Sequence, residues 1–498
     1  MKRACLTFLL LLVLAACGSS PYASPAPEAA TLMLVTVPPD ATATATPFQP
    51  AEAEETQAPP QPTDTPLPQP SPVVPTQVIA SPTSTAAIPT GTLDPNSLLV
   101  GTWTPPTIYT APGAPTPFPI LTDTDTVTFL LLGSDTRGGT SFRTDTIVLA
   151  AVRPKTGQVS LVSIPRDLWI YIPTHGYDRI NTAYEYGELG NYPGRGPGLL
   201  KDTILYNLGM RVDHLAMIDF NGFIRSVNTL GGIDVPVFCP YTDWHLNAPG
   251  LDQNNENNWS LYTVGQGIVH MDGDLALWYA RSRKKSSDFD RGRRSQEVLR
   301  ALYARGLQTD VVSKIPELYA DLNSTVATDL NLADLLKLAP LSLHLTNADI
   351  RSYYISREDV TPWVTPGGAD VLLPNGPAIL SKLRQALSPS ERLPQNNALT
   401  VEIRNGTGNP GWDALAAQRL NYAGYNTRTS PADRTDYSGS LLYDLTANPD
   451  ANRDSSLLAI LGLPQSALVL APMQSDVPYV LILGADYQPC FNPANLAP

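Results

Sequence analysis

VTFLLLGSDTRGGTSFRTDTIVLAAV, residues 127–152, is the stretch that decides the fold. Its two ends, VTFLLL and TIVLAAV, are apolar runs of strand length and strand composition. The glycine-rich turn between them therefore sits at the mouth of a sheet and carries Asp135, Arg137, Arg143 and Asp145. Carboxylates there suit a hard cation, and guanidinium groups beside them suit phosphate oxygens. Both within one turn point to a metal-bridged phosphate ester and to phosphoryl transfer.

Working outward, QVSLVSIP reads as a further strand that ends at Pro165-Arg166-Asp167. GLLKDTILYNLG, residues 198–209, has a helical apolar period and closes on Gly209 as a C-cap. HLAMIDF and IDVPVF read as strands, with the short helix NGFIRSVNTLGG between them. DLALWYARS starts a helix at Asp272-Gly273, and a longer helix is expected from about Arg291 to Gly306. Strands alternating with helices give an α/β domain. Residues 311–396 read as a helical extension and connector (KIPELYADL, LADLLKLAP) that includes one strand, IRSYYIS. A composition shift at SPSERLPQNN precedes a second small α/β domain over 397–490.

The first seventeen residues carry a positive start, Lys2 and Arg3, and an apolar core from Leu6 to Leu14. That core falls short of the roughly 20 residues that span a bilayer, so it reads as a cleaved signal. Leu14-Ala15-Ala16-Cys17 resembles the lipoprotein box, in which Cys17 takes the lipid; an ordinary secretory signal is the alternative. Residues 18–121 have the composition of a Pro/Thr-rich disordered linker, holding 24 of the 49 prolines. No lysine or arginine lies between Arg3 and Arg137, whereas ten acidic residues run from Glu28 to Asp135. The formal charge of −13 is thus mostly the linker's and does not describe the partner of the folded part. With Cys5 in the signal and Cys17 lipidated, Cys239 and Cys490 remain, either bridged in an oxidising compartment or as two separate thiols.

Other chemistries lack their residues. There is no G-x-S-x-G, no Walker loop and no dinucleotide fingerprint, and the five histidines have no zinc spacing. Trp169, Trp244, Trp259 and Trp278 read as core and rim packing or as platforms for sugars. Arginines crowd into RSRKKSSDFDRGRRSQ, residues 281–296. Lys284, Lys285 and Arg300 are expected on a solvated basic face. Arg281 and Arg283 follow the apolar helix directly and aim at a pocket beside Asp135 and Asp145, where bidentate forks recognise a diphosphate. Nucleic acid is not an expected partner of an exported chain.

The motifs LLLGSDTR, FRTDTIVL, LVSIPRDLWIYIP, INTAYEYG, IDFNGF, LGGIDV, GDLALWYARSR and DFDRGRRSQEVL, in that order, resemble the LytR-CpsA-Psr family of cell-envelope proteins. VEIRNGTGNPG and YVLILGADY resemble the two ends of the C-terminal domain often attached to it. The resemblance implies a three-layer α/β/α catalytic domain with a central mixed sheet, placed here at 122–310, and an apolar pocket for a polyprenyl chain. It implies transfer of a glycopolymer from a polyprenyl-pyrophosphate carrier onto peptidoglycan, by a protein anchored outside the membrane through its lipid. It further implies magnesium on Asp135 and Asp145, with Arg143, Arg166, Arg281, Arg283 and Arg291 clamping the pyrophosphate. Arg137, Asp167, Asn181, Arg294 and Gln296 would complete the substrate contacts. Four residues after Arg291, where the family usually has glutamine, stands Ser295, which shortens one contact of the catalytic set. The alternatives are a polyprenyl-(pyro)phosphate binding protein or pyrophosphatase without ligase activity, and an envelope-related transcriptional attenuator.

Overall fold

The computed structural model describes residues 103–108, 110, 113–123, 125–134, 144–308, 326–331, 334, 345–346, 349–390, 396 and 398–491. Cys17, the signal and the segments KIPELYADL and LADLLKLAP (apart from Asp334) lie outside the described residues.

The two apolar runs are strands β1 (Val127–Ser134) and β2 (Thr144–Arg153), followed by β3 (Gln158–Ser163). A hairpin of β4 (Trp169–Ile172) and β5 (Gly176–Arg179) leads to helices α1 (Ala183–Leu189) and α2 (Arg195–Leu208). Then come β6 (His214–Asp219), α3 (Phe220–Thr229) and β7 (Ile233–Val237). A second hairpin, β8 (Tyr241–Leu246) with β9 (Trp259–Val264), precedes β10 (Gly267–Met271). Helices α4 (Gly273–Arg281) and α5 (Asp288–Gln308) follow. Further on lie β11 (Val326–Thr328), β12 (Ile350–Tyr354), the hairpin β13 (Val360–Val364) and β14 (Asp370–Pro374), and α6 (Gly376–Leu387).

The central sheet has the order β11-β6-β1-β2-β3-β12 and is mixed: β1 runs parallel to β6 and β3 to β12, while β2 is antiparallel to β1 and β3. Side chains alternate across a strand, so β1 feeds two cores. Phe129 and Leu131 face Tyr279, Val298 and Leu302 of α4 and α5. Leu130 and Leu132 face Leu200 and Ile204 of α2 and Leu383 of α6. Helices on both faces of one sheet make three layers, α/β/α, and explain why β1 and β2 read as apolar runs rather than alternating patterns.

Two expected boundaries move. Strands β11 and β12 are the edges of the central sheet, so the first domain does not stop at 310 but continues through α6. Nor is the Pro/Thr-rich segment a linker up to 121, because its last part packs on α2. Phe118 N donates to Tyr206 O at 2.8 Å, Leu121 N to Gly209 O at 2.9 Å, and the Tyr206 hydroxyl to Pro115 O. Prolines lack an N–H but keep the carbonyl, so such a segment can dock as an acceptor. Gly209 (φ 65°) caps α2, and a Cβ there would come within 2.0 Å of Pro119 O.

The second unit holds β15 (Thr400–Asn405), α7 (Trp412–Tyr422), β16 (Asn426–Ser430), β17 (Leu441–Asp444), α8 (Ala451–Leu461), β18 (Leu468–Leu470) and β19 (Tyr479–Leu483). Its sheet order is β16-β15-β19-β17-β18. A disulfide, Cys239–Cys490, ties it to the loop after β7, which decides between the two readings of the cysteines. Closing a long loop lowers the entropy of the unfolded chain, so Cys239→Ser should lower stability by about 2–5 kcal/mol. Urea denaturation without reductant checks this; reductant should bring the parent to the variant's midpoint and leave the variant unmoved.

Candidate active site

Four segments deliver charged side chains to one end of the central sheet. Asp145 opens β2. Arg166 and Asp167 follow β3 in a turn. Arg179 ends β5, pulled round by the hairpin and by Asn181 N donating to Arg166 O at 3.3 Å. Arg281 ends α4, Arg283 follows it, and Asp288 and Arg291 sit in the first turn of α5.

The groups interleave. Arg166 binds Asp145 through a short charged hydrogen bond and stands 3.5 Å from Asp167. Asp167 is also 3.4 Å from Arg179 and 3.6 Å from Arg283. Asp288 lies 2.5 Å from Arg291 and 3.8 Å from Arg283, and Arg281 reaches Asp145 at 3.9 Å. Among the described residues, five guanidinium groups meet three carboxylates, two more cations than anions. The Nε donors of Arg166 and Arg179 are buried with no hydrogen-bond partner among the described residues, and so is Asn181 Oδ1. Behind the cluster a narrow slot opens between β2, β3 and α5, lined by Ile147, Ile164, Phe289 and Ile355 with Arg291 and Ser295 in its wall.

Burial depresses the Arg291 guanidinium, and Asp288 works against that. Burial also opposes the charge of Arg166, yet Asp145 and Asp167 hold it above the ordinary range. Of the expected site residues, the structure brings together Asp145, Arg166, Asp167, Asn181, Arg281, Arg283 and Arg291. Asp135, Arg137 and Arg143 lie outside the described residues.

Three expected contacts point elsewhere. Arg294 is buried, with its guanidinium on the carbonyls of Tyr279 and Ser282 and stacked 3.9 Å from the Tyr241 ring. It secures the loop that carries Arg283. Gln296 donates to Ser163 Oγ at 2.9 Å and to Tyr353 O at 3.0 Å, stitching α5 to β3 and β12. The Ser295 hydroxyl donates to Ala280 O at 3.2 Å, although the residue borders the slot. Arg300, expected on a solvated face, is buried against Ile350 O, Ser352 and the Tyr422 ring. Arg179 and the ion-pairing role of Asp288 escaped the sequence reading. The signal for Arg179 was its place at the end of a hairpin that starts two residues after Arg166-Asp167.

The model of the LytR_cpsA_psr family matches residues 109–380, more than half of the chain. The chain belongs to this family. A second model, described as LytR cell envelope-related transcriptional attenuator, matches residues 398–487. Among curated relatives, the polyisoprenyl-teichoic acid–peptidoglycan teichoic acid transferase TagU of Oceanobacillus iheyensis is 31% identical over 212 residues, 42% of this chain and 60% of that protein. The transferase TagT of Bacillus subtilis is 29% identical over 230 residues, 45% of this chain and 66% of that protein. The chain thus spans less than two thirds of the length of these relatives. A solved structure titled TagT bound to LIIa-WTA matches with a TM-score of 0.42 and 25% identity, covering 56% of this chain and 97% of that one.

Burial holds the Asp167 carboxyl above its ordinary range; Asp288 adds to this, while Arg166 and Arg179 oppose it. As pH rises through that raised value, Asp167 becomes charged and cancels one unit of the positive excess, so anion binding weakens. Asp167→Asn lacks this step and should bind inorganic pyrophosphate about tenfold more tightly at neutral pH. Calorimetric titration between about pH 4 and 7 checks it; identical pH profiles for parent and variant would count against it.

Proposed function

We propose that this chain transfers a glycopolymer from a polyprenyl-pyrophosphate carrier onto peptidoglycan, working outside the cytoplasmic membrane with Cys17 as its lipid anchor. The observation that carries this reading is the convergence, among the described residues, of five arginines with three aspartates at the mouth of the slot. Two more cations than anions among the described residues of the cluster suit a diphosphate, whose oxygens the guanidinium groups would meet in charge-assisted hydrogen bonds. Phosphoryl transfer asks mainly for positioning and for neutralised charge. The acceptor hydroxyl forms a bond to the polymer-linked phosphorus, the anhydride bond breaks, and the carrier leaves as polyprenyl phosphate. The relatives named as teichoic acid transferases support the same class.

Magnesium belongs to the same proposal, although among the described residues no three metal-ligating side chains cluster and Asp145 is ion-paired with Arg166 and 3.9 Å from Arg281. Asp145 would hold the ion together with Asp135 and phosphate oxygens, and the ion would neutralise further diphosphate charge.

Arg283 is the most exposed arginine of the cluster at 41% and can be removed without opening a core. Arg283→Ala should keep the thermal midpoint and lower transfer by about a hundredfold, from a lost charged contact and lost positioning. Incubation with labelled lipid-linked polymer and peptidoglycan measures it. An Arg283→Ala protein that transfers at the parent's rate would sink the reading.

A second reading, carrier binding without transfer, draws on Ser295, whose hydroxyl is committed to Ala280 O. Ser295→Gln should place an amide in the slot and raise turnover by about tenfold, the effect of one hydrogen bond. Carrier binding by both proteins, with transfer by neither, would favour the second reading.

A further inference from the structure

The hairpin of β13 and β14 stands beside the arginine cluster, and the charge-based reading of the site does not use it. Its base is fixed to that site. Val360, where β13 starts, packs in the same core as Ile147, Ile164 and Ile355 of the slot wall. Leu372 N donates to Asp167 O at 3.0 Å, and the Arg179 guanidinium donates to Asp370 O at 2.7 Å. Asp167 and Arg179 both belong to the cluster, so the hairpin is held in register with it.

The other end of the hairpin is open. Trp363 is 38% and Val364 58% exposed, and neither belongs to an apolar core among the described residues. Pro366 and Gly367 are exposed as well, and a Cβ on Gly368 (φ 80°) would meet nothing within 4 Å. The Trp363 ring touches half-buried Trp169 edge-on at 6.0 Å, which leaves its face and the Val364 side chain to solvent.

Backbone and charge select the occupant. Thr365 N donates to Ala369 O at 2.9 Å, Gly368 N to Thr365 O at 2.8 Å and Ala369 N to Thr365 Oγ1 at 3.0 Å, while Pro366 has no N–H. A tip that closes its own hydrogen bonds leaves water at small cost. It also offers a glycan few polar groups. No side chain from Val360 to Ala369 is charged. Charge begins at the base, with the arginine cluster and exposed Arg357, 5.9 Å from the Phe289 ring, against exposed Glu358 and Asp370. An uncharged end bearing tryptophan, on a base beside surplus arginines, follows the layers of a bilayer, apolar first and phosphate headgroups next. The slot opens at the same base, where a polyprenyl chain would enter.

We propose that the β13–β14 tip, with Trp363 and Val364, dips into a lipid bilayer and sets the mouth of the slot against its surface. The proposal rests on the transfer reading, to which it adds the membrane contact through which the carrier is drawn.

The test uses the full chain labelled with 5-fluorotryptophan and mixed with phosphatidylcholine vesicles that contain a nitroxide-labelled lipid. Trp363→Phe and Trp412→Phe assign two fluorine resonances, one at the tip and one in the second domain. The nitroxide should broaden the Trp363 resonance and leave that of Trp412 sharp. Val364→Gln, a neutral change at an exposed position, should reduce the broadening about fivefold and leave pyrophosphate binding as in the parent. Arg283→Ala should keep the broadening while it weakens pyrophosphate binding, so failure of the transfer reading and failure of this one are told apart. The proposal is overturned if Trp363 is broadened no more than Trp412, as a tether alone would give, or if Val364→Gln is broadened like the parent. It is also overturned if tetra-N-acetylchitotetraose shifts the Trp363 resonance while lipid does not, or if Val364→Gln abolishes a dimer of the chain with no effect on the lipid contact.

Discussion

Mutual repulsion among arginines is the constraint on which the rest depends. Two guanidinium groups about 5 Å apart at an effective dielectric of about 20 repel by roughly 3 kcal/mol. Asp145, Asp167 and Asp288 are interleaved with the five arginines so that each cation has an anion within 4 Å. Among the described residues the compensation is incomplete by two charges, and burial of Arg291 adds a desolvation cost. Under the proposed function, a diphosphate would supply negative charge here. A site held in this state before the ligand arrives spends little on reorganisation when it binds.

Holding it falls largely to α5. Its first turn presents Asp288 and Arg291 to the cluster. One residue past the slot wall, Gln296 ties the helix to β3 and β12. On another side Arg294 gathers the carbonyls of Tyr279 and Ser282 and so sets the loop bearing Arg283. Glu297 accepts from Arg293 and from the Tyr279 hydroxyl, fixing α5 against α4. The charged residues that look like one basic run in the sequence thus divide by helix face into those that meet a ligand and those that place the ones that do.

That division explains what was legible. The strands around the Asp145 turn, the strand ending at Arg166 and the helix capped by Gly209 follow from apolar runs and cap residues. The arginines also follow, because charge next to a sheet mouth has few other uses. What did not follow is whatever depends on distant partners. IRSYYIS reads as a strand, but its place beside β3 needs the fold. Arg294 and Gln296 flank Ser295, and only the facing helix and sheet reveal that they bind protein groups. The β8–β9 hairpin was missed because its strands flank an Asn-rich stretch, residues 253–258, that carries no period.

The second unit acts on the same helix further along, at Arg300. Arg300 is buried, and burial depresses its guanidinium. Its charge is met by Ile350 O and Ser352 of β12 and by the Tyr422 ring, 4.2 Å away at the end of α7. Nearby, Arg419 of α7 lies 4.6 Å from the Phe238 ring, next to the Cys239–Cys490 bridge. A buried cation that loses one of its partners is costly, so withdrawal of α7 would leave Arg300 in an apolar setting with fewer contacts. The disulfide keeps that from happening. The second domain therefore braces the middle of α5, the helix whose first turn carries Arg291.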